Sequence, residues 1–166
     1  MYFKFVSYLK FLLKSTNEHG VHSPFVFNFV TKCLYSKEKL SSNKTINLLV
    51  KSIRYFKFKN IQIDCSPDIE KLVKSTFPAI SFDNSTIDIL YTEALNVSRF
   101  VALLSEGKLH NDSMVLVAGI HQNEQKQKDW ESLIALPNIT VSMDMFHCGA
   151  IFIRKEQVKE HFTIRI

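Results

Sequence analysis

Glycine is scarce in this chain and unevenly placed. Only four of the 166 residues are glycine, and none lies between Gly20 and Gly107. Glycine-rich loops let the backbone of an α/β domain approach a nucleotide-type cofactor, because glycine adopts left-handed backbone angles without steric cost. The glycine-free stretch therefore excludes a cofactor loop of the usual kind between residues 21 and 106.

Paired cysteines and long apolar runs are also missing. Cys33, Cys65 and Cys148 are isolated and odd in number, which argues against a disulfide framework or a structural zinc site. Residues 2–14 are rich in aromatics, but three lysines interrupt them and no small-residue cleavage site follows, so we expect neither a signal peptide nor a transmembrane segment. These features fit a reducing compartment, and we expect a cytoplasmic protein.

Positive charge is concentrated in the first sixty residues. That segment carries ten Lys and one Arg against two acidic residues, whereas residues 61–166 carry ten basic and fourteen acidic residues. Clustered lysines attract polyanions, and aromatic side chains interleave with them here, so nucleic-acid binding through residues 1–60 is one hypothesis. The alternative is that the lysines are solvated on helix faces and the aromatics pack in a core.

Three helices are predicted before the first strand. Apolar residues cover more than one face of residues 2–14, which favours packing against the same domain, or alternatively an interfacial helix on a membrane or another protein. We expect Gly20 to end this helix, Ser23 to cap the next one and Pro24 to begin it. A third helix is predicted over residues 45–55, so residues 1–58 form a basic, aromatic-rich helical lead-in.

From residue 59 short apolar runs alternate with helical stretches. Strands are predicted at 61–63, 87–91 and 113–118, and helices at 67–77, 96–106 and 124–136, which indicates a mainly parallel sheet. Residues 139–145 and 150–153 leave no room for a helix between them and should pair as an antiparallel hairpin, followed by a last strand in 161–166. The prediction for 59–166 is a reduced Rossmann-like α/β domain whose sheet ends in an antiparallel strand pair.

Two segments resemble a known family. Residues 19–27 (HGVHSPFVF) resemble the lead-in of a bacterial O-methyltransferase-like subgroup of the class I S-adenosylmethionine-dependent methyltransferases, and residues 152–157 (FIRKEQ) with 160–162 (EHF) resemble its C-terminal end. Family members carry an acidic, glycine-rich turn after the first strand. Here residues 65–68 (CSPD) follow Asp64 directly and resemble the end of the family's second strand, so the resemblance implies a deletion between Asp64 and Cys65.

The resemblance also indicates which residues replace the lost cofactor contacts. Asp64 or Asn60 could supply the unusual backbone angle that a tight turn needs. Glu93 is the acid that remains where relatives have an acid-rich turn, and His121 follows the next strand where the subgroup tends to have paired acids. One carboxylate is too few for the metal cluster of related O-methyltransferases, so no metal is expected. Asp64, Glu93 and His121 are interpreted as vestigial cofactor-binding residues, and no residue is assigned a catalytic role.

His19, His22 and Ser23 belong to the lead-in that resembles the subgroup. They are candidates for an inherited substrate or partner surface, and the simpler interpretation is that they cap the helix junction.

Three functions remain open at this point. The preferred one is a degenerate methyltransferase-like protein without catalysis or cofactor, which binds an unknown protein partner, or itself, through a sheet edge left exposed by the missing strand. The second is a divergent methyltransferase that still uses S-adenosylmethionine on a small acceptor. The third is a nucleic-acid-binding module.

Overall fold

The fold was obtained as a computed structural model that describes residues 2–64, 66–82 and 85–166. Three helices come first: α1 (Tyr2–Lys14), α2 (Pro24–Phe29), which continues as a π-helical turn over Val30–Leu34, and α3 (Lys44–Phe56). Strands and helices then alternate through β1 (Ile61–Ile63), α4 (Pro67–Thr76), β2 (Ile87–Thr92), α5 (Val97–Ser105), β3 (Leu109–Ala118) and α6 (Glu124–Ala135). The chain closes with β4 (Val141–Asp144), β5 (Cys148–Phe152) and β6 (Glu160–Thr163).

The strands form one mixed sheet in the order β1-β2-β3-β5-β4-β6. β1, β2 and β3 are parallel, as are β4 and β6, whereas β5 runs antiparallel to both β3 and β4. The predicted α/β class and the antiparallel hairpin are therefore confirmed. Because β5 is reversed, the carboxyl ends of the other five strands lie at the same edge of the sheet.

Helices cover both faces of the sheet. On one face α2, α3 and α4 pack through Phe29, Leu49 and Val73 against Met114 and Phe152 of the strands. On the other face α5 and α6 pack through residues such as Phe100 and Trp130 against the alternate strand positions. The helical lead-in thus shares one hydrophobic core with the α/β part, and burial of its aromatics accounts for much of their abundance.

The junction between α1 and α2 is partly as predicted. Ser23 caps α2 by accepting a hydrogen bond from the amide of Val26, and Pro24 begins that helix, so both predictions are confirmed. The prediction that Gly20 ends the first helix is wrong: α1 ends at Lys14, and Gly20 closes a separate short turn (Glu18–Gly20). The helix stops early because the Thr16 amide donates instead to the carbonyl of Thr163, which places this segment beside β6.

The outer edge of β1 is covered along its first half. The amide of Ser81 donates to the carbonyl of Lys59, and the amide of Ile61 donates to the carbonyl of Ser81. The chain that follows α4 therefore returns alongside β1. The exposed edge that the sequence predicted is protected here by a local bridge.

Gly149 on β5 provides a test of how tightly α6 packs on the sheet. A Cβ atom at this position would lie 2.4 Å from two ring carbons of Trp130, whose exposed fraction is 4%. We expect Gly149→Ala to lower the free energy of unfolding by about 1–3 kcal/mol, because the buried indole must move. Urea denaturation measures this.

Gly107→Ala is the matched control, because a Cβ there would meet no atom within 4 Å. Its φ of +67° gives the control a backbone cost of about 1 kcal/mol that does not involve Trp130. In a double-mutant cycle, Trp130→Leu should reduce the cost of Gly149→Ala and leave that of Gly107→Ala unchanged. Equal costs of Gly149→Ala in both backgrounds would contradict the packing described here.

Candidate functional site

Polar side chains gather at the edge where the carboxyl ends of the parallel strands meet. Asp64 directly follows β1, Glu93 directly follows β2, and His121 lies three residues beyond β3. Asp144 ends β4 at the same edge. In open α/β sheets ligands bind at this edge, so the three residues predicted from the sequence lie at the expected end of the fold.

Asp64 is occupied by an internal partner. Its Oδ2 lies 2.5 Å from Nη2 of Arg99 on α5, and its Oδ1 accepts a hydrogen bond from the Gln62 side chain. The other guanidinium nitrogen of Arg99 donates to the carbonyl of Ala94, in the segment after β2. One arginine therefore joins the end of β1 to the end of β2, and the Asp64 carboxylate is neutralised within the protein.

Neither Asp64 nor Asn60 supplies the unusual backbone angle for which the sequence made them candidates. Among the described non-glycine residues, the left-handed region is occupied by Lys57, with φ +58°, and Phe146, with φ +64°. Cys65, which follows Asp64, lies outside the described residues, and so does the predicted deletion next to it.

His121 is held between two polar partners beneath α1. Its Nδ1 lies 2.6 Å from the Ser7 hydroxyl and its Nε2 lies 2.7 Å from Oδ2 of Asp144. The ring stacks on Phe146 with its centroid 5.1 Å away. The Ser7 hydroxyl also lies 3.3 Å from Oε1 of Gln127 on α6, to which it donates, and the Asp144 carboxylate accepts from Nε2–H.

Hydroxyl, imidazole and carboxylate in a row are also the parts that activate a serine nucleophile. Ser7 does not suit that role, because it is 5% exposed and lies inside α1. A serine nucleophile also needs nearby backbone amides that bind the oxyanion of the reaction intermediate. The amides of Ser7 and Tyr8 lie inside α1, where each donates to the carbonyl four residues earlier, so they are not free for that role. The hydrogen-bond row Ser7–His121–Asp144 instead holds α1 against the edge of the sheet.

A cavity lies next to this row. It has a volume of about 530 Å³ and is bounded by the start of α3, the ends of β2 and β3, and the start of both α1 and α6. Its walls carry three lysines, Lys4, Lys44 and Lys126, from three different helices. Glu93 also lines it, as do the rings of Tyr91 and Phe146. This volume suits a small molecule.

The lysines make this cavity electropositive. Among the described residues no Asp or Glu side chain forms an ion pair with Lys4, Lys44 or Lys126. Burial, assisted by Lys44 and Lys4, holds the pKa of His147 on the wall below its usual value. Asn43, which caps α3 by accepting from the amides of Thr45 and Ile46, also lines the cavity. Such a surface favours an anion.

Two smaller cavities flank the first. One of about 330 Å³ lies between α5 and α6 and shares Glu93 and Lys126 with it, so the Glu93 carboxylate lies between two hollows. The other, of about 210 Å³, is lined by Ser7, His121 and Asp144, together with a second serine–histidine contact between Ser142 and His161. Among the three predicted cofactor residues, Asp64 is bound by Arg99 and His121 by Ser7 and Asp144, whereas Glu93 lines two cavities.

The predicted partner surface lies apart from the cleft. Ser23 caps α2 and donates to the side chain of Gln157, in the connection between β5 and β6 at the opposite end of the sheet. His19 and His22 are exposed, and His19 lies 3.7 Å from the Glu18 carboxylate. None of the three lines the three cavities described above. Their observed roles are those of a helix junction and an open surface.

The remaining titratable groups do not add a reactive centre. Cys33 and Cys148 are buried, and burial raises the pKa of each thiol to about 12, which keeps them protonated. Within the described parts of the chain, no three His, Cys, Asp or Glu side chains stand together as metal ligands. A search of the same residues finds no helix with the length and apolar content needed to cross a bilayer.

Sequence analysis missed the residues that define the cleft. Lys4, Lys44 and Lys126 are separated by 40 and 82 positions, and nothing in their local sequence marks them as neighbours. Arg99 lies in the first turn of α5, and its side chain binds Asp64, which is 35 residues earlier in the sequence. Asp144 could have been identified as a candidate site residue from the sequence, because it is an acidic residue at the end of a predicted strand.

Comparisons with known proteins add no relative: no family model, no curated protein and no solved structure matches the chain.

Ser7 is the residue through which the hydrogen-bond row holds α1. We expect Ser7→Ala to lower the free energy of unfolding by about 1–2 kcal/mol, because the buried Nδ1 of His121 loses its partner. Amide exchange in α1 should also become faster. Urea denaturation and hydrogen exchange measure the two effects.

Ser15→Ala is the control, since the Ser15 hydroxyl donates to the nearby carbonyl of Leu12. It should change stability by less than about 0.5 kcal/mol. A Ser7→Ala variant as stable as the Ser15→Ala variant would show that the row does not fasten α1.

Proposed function

We propose that this protein is a methyltransferase-like α/β protein that has no transferase activity and acts by binding an anionic small molecule, such as a phosphorylated metabolite, in the cleft lined by Lys4, Lys44 and Lys126. The observation that carries the proposal is that three lysine side chains, none of them in an ion pair with a described Asp or Glu, surround a cavity of about 530 Å³.

The Arg99–Asp64 ion pair supports the absence of transferase activity. In the family that the sequence resembles, an acidic turn after the first strand contacts the cofactor. Here the acid at that position is bound by an arginine from α5, and Arg99 also donates to the segment after β2. A cofactor seated there would have to displace an ion pair and two further hydrogen bonds of the same guanidinium group.

The ligand class follows from the charges in the cleft. Two of the three ammonium groups already have a hydrogen-bond acceptor: Lys44 donates to the main-chain oxygen of Ile166, and Lys126 donates to the side chain of Gln122. Each ammonium group has three N–H donors, so both retain capacity for a ligand. A phosphate that accepts from all three lysines would replace water by charge-assisted hydrogen bonds, which are stronger than neutral ones. Tyr91 and Phe146 offer apolar surface for the rest of the molecule.

A working methyltransferase is the second candidate, because the Glu93 carboxylate faces the cleft at the end of β2. An acid at a strand end is the type of group that holds ribose hydroxyls in related folds. The excess of lysines argues against it, since S-adenosylmethionine carries a sulfonium cation and no phosphate.

Nucleic-acid binding through residues 1–60 has less support. Phe29 and Phe58 of this segment are buried in the core and cannot stack on bases. Lys51 is buried as well and donates to the carbonyls of Leu34 and Ser36, while Nη1 of Arg54 lies 2.8 Å from both carboxylate oxygens of Glu38. Part of the basic charge that suggested the hypothesis is therefore already bound by groups of the protein itself.

Inorganic pyrophosphate is a suitable probe of the cleft. We expect it to bind and to raise the melting temperature, because a ligand that binds the folded state stabilises it by mass action. Lys44→Gln and Lys126→Gln should each weaken binding by about tenfold, which is the loss expected for one charge-assisted contact. Isothermal titration calorimetry measures the affinities.

Lys128→Gln is the matched control, because Lys128 lies on α6 like Lys126 but forms an ion pair with Glu124 on the surface. It should bind pyrophosphate like the unmodified protein. Equal losses in the Lys126→Gln and Lys128→Gln variants, or no pyrophosphate binding at all, would contradict the proposed cleft.

A further inference from the structure

Helix α1 has a second apolar face that the domain does not cover. Four large side chains recur at spacings of three and four residues, which places them along one side of a helix. They are strongly exposed: Tyr2 at 84%, Phe5 at 62%, Leu9 at 46% and Leu13 at 89%. Isolated exposed apolar residues are ordinary on protein surfaces, but a continuous stripe along a whole helix marks an interaction site.

The opposite side of α1 is firmly attached to the domain. Ser7 and Phe11 are its buried residues, Ser7 through the hydrogen bond to His121 and Phe11 through a ring contact with Phe146 at 5.4 Å. At 100° per residue these two positions lie roughly opposite Leu9 and its neighbours in the stripe. The helix therefore presents its exposed stripe outward while its other side is held by the sheet edge.

The charges on α1 are all positive. Lys4, Lys10 and Lys14 are exposed, and residues 2–14 contain no Asp or Glu. Among the described residues no carboxylate pairs with any of the three. At 100° per residue Lys10 lies at the side of the stripe, whereas Lys4 and Lys14 lie closer to the buried side, and Lys4 lines the cavity of about 530 Å³. A long, flexible lysine at the side of an interfacial helix extends to the lipid headgroups.

From this arrangement we infer that α1 docks the protein on an anionic lipid bilayer, with Tyr2, Phe5, Leu9 and Leu13 inserted at the boundary between headgroups and acyl chains. The helix has 13 residues, and at 1.5 Å per residue it is about 20 Å long, which suits lying in the plane of the membrane. Tyr and Phe prefer this depth, and the lysines add electrostatic attraction to acidic lipids.

The charges favour a lipid surface over a protein partner. Lysine is depleted in protein interfaces, whereas α1 carries three lysines and no acidic residue together with a stripe of four apolar residues. A second copy docked through the same stripe would bring two helices of the same positive charge together, which is unfavourable. A bilayer that contains acidic lipids accepts the apolar side chains of the stripe and neutralises the lysines of α1. Unlike a protein partner, it does not need a surface of complementary shape.

Flotation with lipid vesicles tests this inference on the full chain. We expect the protein to bind vesicles of phosphatidylcholine mixed with phosphatidylserine, to bind pure phosphatidylcholine much more weakly, and to dissociate as salt is raised. Leu13→Ser and Phe5→Ser should each weaken binding by about tenfold, because an inserted apolar side chain is lost. Lys10→Gln should weaken it by about fivefold.

Val158→Ser provides the matched control, because Val158 is 84% exposed but lies between β5 and β6, away from α1. It should bind vesicles like the unmodified protein, and all four variants should keep its melting temperature within a few degrees because the changed side chains are on the surface.

Failure to bind the mixed vesicles, or binding that survives both Leu13→Ser and Phe5→Ser, would overturn the inference. Sedimentation is the parallel readout: self-association that is abolished by the same two variants, without vesicle binding, would identify a second copy as the occupant of the stripe.

Discussion

The ion pair between Arg99 and Asp64 is the constraint that determines what the ligand edge of this sheet can do. Asp64 leaves β1 with its carboxylate directed at a guanidinium group, and Arg99 in turn holds the segment after β2 through the carbonyl of Ala94. The first two strand ends are thereby joined to each other and to α5. In an open α/β fold these ends would otherwise be free to contact a ligand, so the position of binding moves away from β1.

What remains for a ligand is the space beside β3, and α1 helps to enclose it. His121 connects Ser7 on α1 with Asp144 on β4, so the helix is fixed across the edge while Lys4 lines the cavity of about 530 Å³. Lys44 and Lys126 approach the same cavity from α3 and α6. The proposed anion cleft and the outward apolar stripe therefore involve the same helix. Its inner side completes the cleft, and its outer side is available to a membrane.

Periodicity and turn residues were sufficient to predict the secondary structure. The alternation of apolar runs and helical stretches located all six strands, and Ser23 with Pro24 marked the start of α2 because capping depends on adjacent residues. The prediction that Gly20 ends α1 was wrong because the end of α1 depends on a distant residue: the amide of Thr16 donates to the carbonyl of Thr163, nearly 150 residues away. Such contacts leave no trace in the local sequence.

The candidate site was predictable in position but not in composition. Asp64, Glu93 and His121 were expected at strand ends and are found there, because the ends of parallel strands meet at one edge. Their partners come from elements far along the chain, such as Ser7 for His121, 114 positions away. Pairing decides whether a carboxylate or imidazole is free to bind a ligand, and pairing depends on the folded arrangement of α1 and α5.

We propose that this edge of the sheet does not bind a methyl donor. Calorimetric titration of the purified protein with S-adenosylmethionine and with S-adenosylhomocysteine tests it most directly. We predict no saturable heat at micromolar concentrations of either compound, because Asp64 is neutralised by Arg99 and the cleft is electropositive. Saturable micromolar binding of either compound would contradict the account and favour a working methyltransferase with Glu93 in its site.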